Sequence, residues 1–72
     1  MKVRTLLNKM VLKEYQTIRV LDEDVEYFIE STDIREVVEE CGRSKVLDFE
    51  YSKFGDCFII YISKKKEWQD LT

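Results

Sequence analysis

The 72 residues predict an α+β fold: a four-stranded antiparallel sheet made of two hairpins, with two helices on one of its faces. Three observations carry that reading. Two short segments have apolar residues at helical spacing, and each is followed by two stretches of strand character. The run CFIIYIS near the end is apolar on both sides, which suits a strand in the middle of the sheet that pairs with a strand of the other hairpin. The element order is therefore α-β-β-α-β-β within a single domain, residues 1–72.

In KVRTLLNKM, residues Val3, Leu6, Leu7 and Met10 fall at i, i+3, i+4 and i+7, a stripe that predicts a helix over residues 2–10. The stretches YQTIRVLD and VEYFIES follow, split by the acidic corner Asp22-Glu23-Asp24. With Glu23 and Asp24 as the turn, Val20 opposes Tyr27 and Ile18 opposes Ile29 on one face. The other face then pairs Arg19 with Phe28, Leu21 with Glu26 and Thr17 with Glu30.

In TDIREVVEECG the helical stripe recurs at Ile34, Val37, Val38 and Cys41. Thr32 or Asp33 serves as N-cap, Asp33 and Glu36 have capping-box spacing, and Gly42 suits a left-handed C-cap. The stretches KVLDFEYSK and DCFIIYIS then turn at Phe54-Gly55. That register pairs Tyr51 with Phe58, Phe49 with Ile60 and Leu47 with Ile62 on the inner side. Glu50 with Ile59, Asp48 with Tyr61 and Val46 with Ser63 fall on the outer side. The inner face thus collects both helix stripes with Ile18, Val20, Tyr27, Ile29, Leu47, Phe49, Tyr51, Phe58, Ile60 and Ile62.

Net charge is −3, from 15 acidic and 12 basic residues, which is not the cationic footprint of a general DNA binder and favours a basic partner instead. The apolar residues after Lys2 and Arg4 are spaced rather than continuous, so a secretion signal and a membrane span are not expected and the cytoplasm is the expected location. There Cys41 and Cys57 stay reduced. The chain has no histidine, no Gly-rich phosphate loop and no nucleophile elbow, so the usual acid-base and covalent constellations cannot be assembled; no enzyme activity and no cofactor are expected. Asp22, Glu23, Asp24 and Glu26 lack the glycine and the distal glutamate of a calcium loop, and read as a solvated corner rather than a metal site.

Two short helices cannot cover both sides of the sheet, which leaves Phe28, Ile59 and Tyr61, with Leu21, facing water or a partner. Arg19, Glu26, Asp48 and Glu50 surround them, giving an apolar centre in a charged rim, the composition of a protein interface. The candidate partner-binding residues are Arg19, Phe28, Ile59 and Tyr61, for a protein partner or a second copy in a homodimer. One alternative is nucleic-acid binding, with Lys64, Lys65 and Lys66 on phosphates and Trp68 stacked on a base. Another is a small-ligand sponge formed at a dimer seam.

The element order also occurs in the half-unit of LAGLIDADG homing endonucleases, but EVVEECG lacks the small residues with which two such helices pack. The opening MKVRTLLNKM, the paired hairpins and the terminal FGDCFIIYIS resemble, in general layout, the small accessory proteins encoded by phages and prophages of Gram-positive bacteria. Some of those disable host defences by binding. The resemblance implies a binding protein acting in the host cytoplasm, and transfers no functional residue.

Overall fold

The computed structural model describes residues 1–22 and 26–63. Helix α1 spans Val3–Lys9, strands β1 and β2 span Thr17–Asp22 and Tyr27–Ser31, helix α2 spans Ile34–Cys41, and strands β3 and β4 span Lys45–Ser52 and Cys57–Ser63. The expected order of elements and the α+β class hold.

Both helices owe their ends to specific partners. At the start of α1, Lys2 supplies no side-chain cap; instead the Val3 N–H donates to the Ser44 carbonyl and the Arg4 N–H to the Gly42 carbonyl, each at 3.0 Å. The 42–44 turn therefore satisfies donors that a helix otherwise leaves to water. For α2 the cap is Asp33, whose Oδ1 accepts from the Arg35 N–H at 2.9 Å. Glu36 does not close the expected box on Asp33 directly. Ser31 relays it: its Oγ accepts from the Asp33 N–H and its hydroxyl donates to Glu36 Oε2, both at 2.9 Å.

Gly42 corrects a second expectation. Its φ of −58° and ψ of −27° are right-handed, not the left-handed C-cap. The residue is glycine for lack of room, since a Cβ there would lie 2.5 Å from the Val38 carbonyl oxygen.

The sheet runs β2-β1-β4-β3, and the last strand is central, as its two-sided apolarity requires. Each hairpin is antiparallel, but β1 and β4 pair in parallel, so the sheet is mixed rather than wholly antiparallel. The connection explains this. Residues 32–44 carry the chain over one face from the β2 edge to the β3 edge, the kind of crossover that parallel strands need. With β2 and β3 aligned by that crossover, their hairpin partners β1 and β4 must also run the same way.

Register departs from expectation in two places. In the first hairpin Val20 opposes Ile29 and Leu21 opposes Phe28, a slip of two residues that lengthens the turn. Because side chains alternate with a period of two, every residue keeps its predicted face. In the second hairpin Tyr51–Phe58, Phe49–Ile60, Glu50–Ile59 and Asp48–Tyr61 pair as expected, until a bulge between Val46 and Asp48 sets Val46 rather than Leu47 opposite Ile62 and Lys45 rather than Val46 opposite Ser63. The extra residue is ejected: Leu47 is exposed.

The core lies between the helices and one face of the sheet, built from Val3, Leu6, Leu7, Val37 and Cys41 against Ile18, Val20, Ile60 and Ile62. Ile34, Phe49 and Tyr51 were expected here and are exposed instead. Helix length is the reason for the two aromatics. Helices of 7 and 8 residues are only about 10–12 Å long, while the 8 residues of β3 reach about 26 Å, so the far end of the second hairpin projects past its cover. Its turn is tied down separately. Gly55 and Asp56 have φ of 82° and 50°; Asp56 meets Lys13 and the Tyr51 hydroxyl through its carboxylate and accepts from Gln16 Nε2 at 2.7 Å through its carbonyl.

Candidate protein-binding face

The parallel β1–β4 pair decides what the outer face looks like. It sets Arg19 beside Ile59 and Leu21 beside Tyr61, while the first hairpin sets the same two residues beside Glu30 and Phe28. With Asp48 and Glu50 added from β3, two rows cross the sheet: Phe28, Leu21, Tyr61, Asp48 and Glu30, Arg19, Ile59, Glu50. All four candidate partner-binding residues, Arg19, Phe28, Ile59 and Tyr61, thus fall in one contiguous patch. None belongs to the core beneath the helices.

Within the patch the side chains hold one another in place. The Arg19 guanidinium donates to Glu30 Oε1 at 3.4 Å and lies over the Phe28 ring, 5.9 Å from its centroid. A half-exposed ion pair and a surface cation–π contact are each worth at most about 1 kcal/mol, so they set the orientation of Arg19 more than they stabilise the fold. Its Nε is buried with no hydrogen-bond partner among the described residues. On the other side of the patch the Tyr61 hydroxyl donates to Glu50 Oε1 at 2.7 Å. Phe28 is 58% exposed, whereas Leu21, Ile59 and Tyr61 are half-buried. The exposed apolar area is thus concentrated toward the β2 edge.

At one end of the patch is Cys57, on the outer parity of β4 and buried. Burial pushes its thiol above the ordinary value, partly opposed by the Arg19 guanidinium and reinforced by Glu30. Cys41 lies in the core on the other side of the sheet, and the two cysteines are not joined in a disulfide.

Other sequence-predicted sites fare differently. Lys64, Lys65, Lys66 and Trp68 lie outside the described residues, as do Glu23 and Asp24 of the acidic corner. Asp22 is buried at the end of β1, opposite Tyr27, and Glu26 follows with φ of 54°. Among the described residues no group of three or more His, Cys, Asp or Glu is placed to hold a metal ion, and no helix is long and apolar enough to cross a membrane.

Sequence reasoning missed a second surface. On the helix side of the projecting hairpin, Phe58 stacks against Phe49 with ring centroids 6.3 Å apart and meets Tyr51 at 5.8 Å, and Phe54 stands exposed at the tip. The available signal was strand length measured against helix length. Comparison of the chain with family models, with curated proteins and with solved structures gave no match.

Proposed function

We propose that the chain is a non-enzymatic protein-interaction module that docks through its outer sheet face, as a phage-encoded accessory protein or host-defence inhibitor would. The observation that supports this is the row Phe28, Leu21, Tyr61 running across three strands with Arg19 and Ile59 beside it and, among the described residues, no helix above. Few interface residues carry most of a binding energy, and aromatic and Arg anchors are the usual ones. The face carries Glu30, Asp48 and Glu50 against Arg19, so the partner it fits presents an apolar centre with a basic rim.

Phe28→Glu tests the reading. Phe28 is exposed on an edge strand beside Arg19, so the variant keeps its fold and pairs the new carboxylate with the guanidinium. Tyr61→Glu is the poorer choice, because it would set a carboxylate against Glu50. Bait proteins are compared on a lysate of a Gram-positive host, with Phe54→Glu at the exposed hairpin tip as control. The expected result is prey retained by the control and lost by Phe28→Glu. An identical prey set on both variants would sink the proposal. Sedimentation of the purified chain detects the homodimer, the case in which the partner is a second copy.

A further inference from the structure

We infer that the open edge of β3 is a strand-addition site for an extended segment that alternates apolar and basic residues. The inference differs from the outer-face reading in resting on the backbone groups of β3 and on Phe49 and Tyr51, which face the other way; only Asp48 and Glu50 are shared with the outer face.

β3 is the last strand in the sheet order, so one side of it pairs with β4 and, among the described residues, the other pairs with no further strand. The beginning of that free side is closed: Lys2 bridges Lys45, and the Val46 N–H donates to the Met1 carbonyl at 2.8 Å. Beyond the bulge it opens. The Phe49 N–H donates to the neighbouring Asp48 Oδ1 at 2.8 Å, as a donor left out of the β3–β4 ladder would. By antiparallel alternation Tyr51 presents its backbone groups to the same side. An incoming strand would find a donor and acceptor at each of these residues, the basis of binding by β-augmentation.

The side chains specify what kind of strand. Phe49 and Tyr51 are exposed apolar groups on one face of the strand, while Asp48 and Glu50 point to the opposite face; Leu47, in the bulge, is exposed as well. Cross-strand neighbours share a face, so the complement carries apolar residues opposite Phe49 and Tyr51 and cations opposite Asp48 and Glu50. A cation is also what stabilises the Asp48 carboxylate once an incoming carbonyl takes the Phe49 N–H from it.

A second copy of β3 does not meet this requirement. An antiparallel pairing centred on Phe49 would oppose Asp48 with Glu50, and shifting the register by two residues either way would oppose Asp48 with Asp48 or Glu50 with Glu50. Like charges directly across a ladder are destabilising. In these registers, which keep Phe49 in the pairing, the edge selects against itself and for a basic strand.

The probe is a short capped peptide alternating lysine with valine, added to the full chain at low salt. Its controls are the same peptide with glutamate for lysine, and a version N-methylated on the edge that would face β3. The readout is titration by NMR together with hydrogen exchange at the Phe49 and Tyr51 amides. The expected result is protection of those amides by the lysine peptide, binding of the glutamate peptide weaker by about tenfold or more, and loss of protection with the N-methylated one. Phe28→Glu should bind the lysine peptide like the wild type, which separates this result from that of the outer face. Asp48→Lys combined with Glu50→Lys should reverse the preference between the two charged peptides. The inference is overturned by equal binding of the N-methylated peptide, by no preference for lysine, by protection on β2 instead of β3, or by no binding at all. It is also overturned if the two amides are already protected without peptide, whether by self-association or by the chain's own remaining residues.

Discussion

Truncating Phe49 tests whether the second hairpin really projects beyond the helices. A phenylalanine closed into a core costs about 3–5 kcal/mol when cut to alanine, of which part is the cavity left behind. Phe49 is 48% exposed, so about half of that transfer is already forfeited, and a site open to water leaves no cavity. What remains is the covered half of the ring and its stacking on Phe58, itself worth about 0.5–1 kcal/mol. The expected cost is about 1–2 kcal/mol. Ile60, directly opposite on β4, is 0% exposed, and Ile60→Ala should cost about 3–4 kcal/mol. For a chain this small, total stability is about 4–10 kcal/mol, so the two variants should differ plainly. Urea unfolding followed by circular dichroism reads the difference: with a slope of about 1 kcal/mol per molar, the midpoint falls by about 1–2 M for Phe49→Ala and by about 3 M or more for Ile60→Ala. Equal losses for the two variants would mean that Phe49 is core, and the bare hairpin would be wrong.

Two further outcomes follow from particular contacts. Gly42→Ala should destabilise by about 1–3 kcal/mol, against the usual gain from alanine in right-handed backbone, because its Cβ would meet the Val38 carbonyl at 2.5 Å; a rise in midpoint on thermal melting would refute that. Cys57 makes stability depend on pH. Its folded thiol titrates higher than an unfolded one, so deprotonation favours the unfolded chain. Its contribution is complete below the ordinary thiol range and declines as pH rises through that range toward the folded value. Midpoints measured against pH should therefore fall less steeply in Cys57→Ser than in the wild type over that alkaline window, and parallel curves would refute the assignment.

Much of this was legible in the residues. Val3, Leu6 and Leu7 announce the stripe of α1, and Asp33 announces the start of α2. The face of each β1 and β2 residue survived an error in the first turn because the slip was an even number of residues. What stayed hidden depends on distances between elements rather than on local pattern. Parity correctly places Phe49 and Tyr51 on the helix side, but only the reach of α1 and α2 decides whether anything covers them. Gly42 misled for a related reason: glycine reads as a sign of positive φ, whereas here it makes room for a carbonyl one helical turn away. The bulge at Leu47 had no signal in alternation, since KVLDFEYSK is regular enough to suggest an unbroken strand.

The two-sided apolarity of CFIIYIS now divides into parts with different causes. Ile60 and Ile62 face the helices and are buried; Ile59 and Tyr61 face outward between neighbouring strands and are only partly exposed. A central strand accounts for all four without a partner. The unexplained apolar surface lies on the edge strands instead, at Phe28 on β2 and at Leu47, Phe49 and Tyr51 on β3. Edge strands with exposed aromatics invite indiscriminate pairing, and proteins blunt them with bulges, charges and occupied backbone groups. β3 has each device: the bulge at Leu47, Lys45 at its start with Lys53 just past its end, and the Asp48 carboxylate on the Phe49 N–H. Polar residues in place of Phe49 and Tyr51 would remove the hazard more simply at small cost in stability, because both rings are already half in water. Guarding an apolar edge while keeping it apolar makes physical sense when the edge is to be opened by a strand that can displace the guard, and a strand bearing cations opposite Asp48 is one that can.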